Sequence, residues 1–372
     1  MKNMVLPINM QNEFIAQLNY ALPLCVLLAD EHYKEWFYEN YVEFFIVQQP
    51  DKTLAYGIFD SLFYAWRDNI DSLIMIFSSY HKVALDYIDE IYPLVKHRID
   101  REFYCILFLD EYCIPCLNQP YNNVHEFLIY GYDDEAQAYK AIAFQESIFR
   151  YIDLEYADVQ RAYVSAKEYI EARGWSGKML MTLRTVASAS DEAAHYPFDL
   201  SNFLEKIGRY AKGQCRLQDA YLFFQYPQRK NRIYYYGAET GKAMSVFFSS
   251  LLDLLDTDEI EPLGARIYGG YNSLHMLCEH RKGLLKRLLF VQEHCFVPDK
   301  LCCDVSDYEL IVMKYEKIRL LYLKLQKYWE VQDAVSGTGR IKKTIQNLIV
   351  YMDEVYTDER GFMVALTKTL TA

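Results

Sequence analysis

Three strand-like segments divided by turn residues constrain this chain more than any other feature. Glu102 to Asp110 is a run of aromatic and aliphatic residues. A loop holding Pro115 and Pro120 leads to His125-Glu126-Phe127-Leu128-Ile129-Tyr130-Gly131-Tyr132, and the acidic turn Asp133-Asp134-Glu135 returns the chain through Ala138 to Phe144. Aromatic and β-branched runs bounded by Pro, Gly and Asp are strands and their turns. The pattern predicts a meander with the His125 strand in its middle.

The flanking sequence sorts by period. Val42 to Val47 reads as a strand, and helix-compatible residues run from Val26 to about Glu39. Val83 to Arg98 reads as an amphipathic helix interrupted near Pro93, since proline removes a helical hydrogen bond. Beyond about residue 150 the 3.6-residue period dominates. Helices are expected at 155–171, 199–211, 239–255, 264–293, 305–331 and 339–356, with strands over Met179–Val186 and Tyr221–Tyr226. The reading is an α+β chain with residues 1–150 as one part and a mainly helical part, 151–372. No repeat or low-complexity linker divides them, so the two are expected to pack together.

Composition narrows the function classes. A net charge of −12 disfavours a nucleic-acid binder, which needs a basic footprint, and favours a cationic small substrate such as an amine. No basic end followed by an apolar core opens the chain, and the longest apolar runs are too short to span a bilayer. With no export signal, the nine cysteines read as reduced thiols. The expectation is a cytoplasmic protein with no membrane and no nucleic-acid partner.

A thiol nucleophile needs a depressed pKa, a base within reach and donors for the oxyanion. Cys25, two residues after Pro23 at the expected start of a helix, fits, because a helix N-terminus favours thiolate. Asn19 and Gln17, six and eight residues upstream, are the candidate oxyanion amides, beside the Cys25 backbone N–H. His125, opening the middle strand, is the candidate base. Asp110 on the preceding strand, or Gln145 or Glu146 on the following one, would orient the imidazole. The plain alternative is that Cys25 is a core residue and His125 an ordinary strand-end histidine.

An amide residue six before a helix-leading Cys, followed by a later His heading a strand that ends Gly-Tyr-Asp, resembles the papain-like cysteine peptidase fold. Asp110-Glu111-Tyr112-Cys113-Ile114-Pro115, then His125 through Asp133, is similar to peptidase homologues encoded beside nonribosomal peptide pathways. These are related to the N-terminal domain of the butirosin-type acyltransferases. Trp36-Phe37-Tyr38-Glu39-Asn40-Tyr41 and Glu279-His280-Arg281-Lys282 fit the same family.

The resemblance implies a papain-like catalytic part and amide formation. An acyl or peptidyl chain would pass from the phosphopantetheine thioester of a carrier protein to Cys25, and then to a small amine such as a diamine. No further cofactor is implied. Two departures stand out. Ala141 and Ala143 occupy the place of the family's third catalytic residue, leaving that role to Asp110, and Asn122 stands where related acyltransferases often carry a second His.

Arg281, Lys282, Lys286 and Arg287 form a basic stretch in an acidic protein, and are the candidate contacts for a carrier-protein surface. Cys113-x-x-Cys116 lacks the second pair a structural zinc site needs, and His275, Glu279 and His280, which could form a metal face, read first as a hydrogen-bonded helix surface, so no metal is expected. Two other readings are a cysteine peptidase with a peptide groove and a non-catalytic scaffold that binds a carrier protein.

Overall fold

A computed structural model describes residues 3–58, 77–83, 90–145, 148–173, 180–185, 197–214, 231–294, 304–331 and 337–370. The expected strand at Tyr221–Tyr226 lies outside them. The chain is a mixture of helices and antiparallel sheets, an α+β protein. It divides into two compact units with boundaries unlike those expected from sequence. Unit 1 is Met1–Lys34 with Leu62–Tyr196, and unit 2 is Glu35–Ser61 with Pro197–Ala372.

Unit 1 is built on an antiparallel sheet in the order β4 (Phe77–Val83), β9 (Leu180–Thr185), β5 (Tyr104–Asp110), β6 (Val124–Asp133), β7 (Ala138–Gln145), β8 (Ile148–Glu155), with β1 (Asn3–Val5) also pairing β6. The predicted meander is β5–β6–β7, and β6 is its middle strand. Gly131 is required where β1 joins: a Cβ there would stand 2.7 Å from the Met4 carbonyl oxygen and 3.0 Å from Val5 Cα.

Residues opposed across an antiparallel ladder project to the same face. Tyr139 opposes Tyr132, and its ring packs against Tyr92 of α3 (Ile91–Ile99) and Tyr156 of α4 (Tyr156–Ala172). Following the register, Ala141, Ile129, Phe127, His125 and Leu109 belong to this face. On the opposite face the Tyr104 hydroxyl donates to the Pro7 carbonyl, and the Met10 N–H donates 2.9 Å to the Tyr151 hydroxyl. Segment 7–10 therefore crosses that second face. The Asn9 N–H donates to the Cys25 carbonyl at 3.2 Å, which brings α1 (Leu18–Leu27) to the same side.

Two expectations in this unit are corrected. Val83 lies in a strand, residues 84–89 fall outside the described residues, and a helix begins at Ile91. Pro93 then sits in the first turn, where no helical hydrogen bond is lost and no kink results. The helical run expected from Val26 to about Glu39 is two helices: Cys25 and Val26 belong to the last turn of one over Leu18–Leu27, and a second covers Lys34–Glu39 after a 3-10 turn, Glu31–Tyr33.

Unit 2 pairs β2 (Phe44–Gln48) with β3 (Leu54–Ile58) and β10 (Ile233–Tyr236), beside helices α2 (Lys34–Glu39), α5 (Leu200–Ala211), α6 (Thr240–Asp256), α7 (Ile260–His294), α8 (Val305–Glu330) and α9 (Gly337–Leu370). Asp199 and Asp304 cap α5 and α8, accepting from the Asn202 and Ser306 N–H groups at 3.0 and 2.9 Å. Helix α8 packs on α7 and α9, and α9 packs on α6. α9 runs fourteen residues past the predicted 356, carrying its buried stripe on through Phe362, Met363 and Leu366. No helix among the described residues is long and apolar enough to cross a membrane.

Candidate active site at the end of β5 and β6

The polar centre of unit 1 forms where β5 turns into a short 3-10 segment, Glu111–Cys113. Asp110 caps that turn. Its buried carboxylate accepts from the Tyr112 N–H (3.1 Å), the Asn123 N–H (2.9 Å), the Asn122 amide (2.5 Å) and the Ser165 hydroxyl of α4 (2.7 Å). Burial works to raise this carboxyl, and the four donors outweigh it, holding it below the usual carboxylate range. Asp110 is thereby fully occupied and does not meet His125.

The partner of His125 is Glu111. The imidazole Nδ1 lies 3.0 Å from Glu111 Oε1, and the Asn123 amide donates 2.6 Å to the other oxygen, Oε2. The Glu111 N–H continues the ladder by donating to the Asn123 carbonyl at 2.9 Å. The Glu111 side chain is 4% exposed and that of His125 44%. A carboxylate only accepts, so the neutral imidazole carries its proton on Nδ1 and keeps a lone pair on Nε2. Among the described residues nothing bonds Nε2. The hydrogen bond to Glu111 raises His125 above its ordinary 6.5, against the lowering effect of burial.

Cys25 stands elsewhere. It lies in the last turn of α1, not at its N-terminus, and is wholly buried. Burial pushes its thiol up to about 12, and hydrogen bonding to Gln11 only partly offsets this. The favourable dipole end of α1 belongs to Gln17 and Leu18. The ladder register assigns His125 and the segment that carries Cys25 to opposite faces of the sheet. The two are therefore not brought together, and Glu111 takes the orienting place expected of Asp110.

The remaining candidates separate. Asn19 lies within α1, but its side chain is outside what the structure describes. Gln17 N-caps α1 without bonding it, and its Oε1 is buried with no partner among the described residues. The Gln145 amide donates 2.8 Å to the Cys116 carbonyl, and Glu146 is outside the described residues. Cys113 and Cys116 are free thiols, half-buried and exposed respectively.

Of the basic stretch in unit 2, Arg281 and Arg287 are buried and so do not offer a carrier-protein contact. Arg287 donates to the carbonyls of Asn40 (2.8 Å), Gly283 (2.7 Å) and Phe37 (3.1 Å). Lys282 is half-exposed and lies 2.9 Å from Glu316, while Lys286 faces solvent.

Glu111 is the residue that sequence reasoning missed. The available signal was its place one residue beyond the end of β5, directly after Asp110, whose side chain caps the turn. No protein-family model matches the chain, and no curated protein matches it.

Proposed function

We propose that the chain forms amide bonds by general-base acyl transfer, with His125 as the base and Glu111 as its orienting carboxylate. Nε2 of His125 takes the proton of a small amine as the amine nitrogen attacks a thioester carbonyl. The carbon–sulfur bond breaks, and the leaving thiolate receives that proton from the imidazolium. Glu111 stabilises the imidazolium meanwhile. The observation that carries this reading is the 3.0 Å contact of His125 with a buried carboxylate, with Nε2 left open.

The acyl donor, an acyl or peptidyl chain on a carrier-protein phosphopantetheine arm, rests on the resemblance of Asp110–Asp133 to the peptidase homologues. An antiparallel sheet with helical or extended segments on both faces is compatible with a papain-related fold. In that fold Gln17 and Leu18 would occupy the helix-leading position of the nucleophile. Transfer would then be direct, in a ternary complex, and Cys25 a core residue.

The test is transfer from an acyl-loaded carrier protein to a diamine. His125→Ala is expected to lower the rate by roughly 10²–10⁴-fold, and Cys25→Ala to leave it within a few-fold. An acyl adduct on Cys25 in intact-protein mass spectrometry would restore the covalent route. The burial of Cys25 also favours a second reading, a non-catalytic carrier-binding scaffold. Absence of transfer by the wild-type chain across a broad thioester set would select it.

A further inference from the structure

The donors and acceptors around Glu111 form a chain of contacts running from α4 to the imidazole. Ser165 of α4 and Asn122 bond the same oxygen of Asp110. The other oxygen of Asp110 accepts the Asn123 N–H. The Asn123 side chain then bonds Glu111 Oε2, which leaves Oε1 for His125. A carboxylate held by one oxygen only can rotate about its terminal torsion, which is broad and two-fold. Held at both, it is fixed.

We propose that Asn123 is the positioning residue of this site: its amide locks Glu111 so that one oxygen stays on His125 Nδ1. Asp110 acts one step further out, fixing the Asn123 backbone. This inference deepens the reading of Glu111–His125 as a working pair and rests on it. The charged neighbours of the imidazole are Glu111 itself and Glu126 on its own strand. Glu126 persists in every variant below, so changes are referred to Glu111.

The experiment is an NMR titration of the full chain, following the His125 ring nitrogens. In the wild type the neutral ring is expected as a single tautomer protonated at Nδ1, with a midpoint above 6.5. Asn123→Ala should yield a mixture of tautomers and move the midpoint toward 6.5. Asn123→Asp keeps the shape but replaces the donor with an acceptor. Two carboxylates must then share a proton or separate, so the single titration step should split or shift.

Glu111→Gln separates the two ideas. If it shifts His125 while both Asn123 variants leave tautomer and midpoint unchanged, the pair stands and the positioning role falls. If Glu111→Gln also leaves His125 unchanged, the pair itself is overturned. Asn123→Asp serves where Asn123→Ala does not fold. Rate measurements should follow the NMR: Asn123→Ala is expected to lower kcat more than it changes KM, since orientation and not substrate contact is lost.

Discussion

Two of this molecule's ion pairs, one in each unit, are built to opposite rules. In unit 2, Glu359 takes five contacts and leaves nothing open. Its Oε1 accepts from the hydroxyls of Tyr210 (2.6 Å) and Tyr308 (3.1 Å), and Arg281 Nε lies 2.9 Å away without hydrogen-bond alignment. Its Oε2 accepts from Tyr315 (2.6 Å) and from Arg281 Nη2 (3.1 Å). Arg281 also meets the Gly237 carbonyl, the Thr240 hydroxyl and the Nδ1 of His280. Both charged side chains are 0% exposed. In unit 1, Glu111 is buried and held by the Asn123 amide, but its partner His125 is nearly half exposed and presents a free lone pair. A pair enclosed on every side can only hold structure, because neither of its side chains reaches solvent. A pair with one open nitrogen can exchange a proton with something outside it.

The sharpest way to break the comparison is to remove Glu359. Glu359→Ala leaves Arg281 as an unpaired buried cation and strands three tyrosine hydroxyls. A loss of about 3–5 kcal/mol is expected in urea unfolding, since breaking one partner of a buried pair strands the other. A loss below about 1 kcal/mol would show that the latch is not structural. Replacing the pair with apolar side chains, Arg281→Met with Glu359→Leu, should recover the part of that loss owed to the unpaired cation, and adding Tyr210→Phe, Tyr308→Phe and Tyr315→Phe the part owed to the stranded hydroxyls.

The same contrast explains what the sequence disclosed and what it hid. The meander, the capped helices and the place of His125 follow from alternation, from Asp199 and Asp304, and from turn residues, all of which act locally. Cys25 misled because Pro23 imitates a helix start, whereas Leu18–Leu27 is apolar on every side and buries as one helix with the proline inside. Arg281 was legible in principle: Leu277, Arg281, Leu284 and Leu288 share one helical stripe, and all four are buried. Lys282 and Lys286, spaced four apart, form the outward face. The extension of α9 was hidden by Glu359, which interrupts the apolar stripe in sequence; Arg281, far away along the chain, completes it in space. Glu111 was hidden for a related reason. Whether Asp110 or Glu111 meets His125 depends on the chain turning at Asp110, and that turn depends on Asn122, Asn123 and Ser165.

A pH series sharpens the comparison at intermediate scale, because the two histidines respond in opposite senses. His280 is stacked between Phe44 and Tyr210, with Nε2 3.0 Å from the Val42 carbonyl. Burial, then Arg281 and Arg287, hold it well below its ordinary 6.5. Its folded value is depressed, so the unfolded chain binds the extra proton first. Its contribution is complete above 6.5 and declines as the pH falls, by at most about 1.4 kcal/mol per pH unit. His125, with its value raised, contributes in full below 6.5 and loses that contribution as pH rises through its folded value. Urea midpoints at pH 7.5 and 5 should therefore fall on acidification, and fall less in His280→Gln, whose amide can both donate and accept. An identical fall in both proteins would remove His280 from the account.

The smallest expected effect bears most directly on function. His125→Ala removes a ring that is 44% exposed and leaves the buried Glu111 on the Asn123 amide, with water able to take the place of the ring. Exposed and partly exposed pairs contribute little, so the change in unfolding free energy should stay under about 1 kcal/mol. The same substitution is expected to remove nearly all transfer activity. Large loss of function with little loss of stability is what an open pair should give, and the reverse is what the closed pair should give. A loss of 3 kcal/mol or more on His125→Ala would make Glu111–His125 a second latch, and the open nitrogen would then be an accident of its position at the strand end.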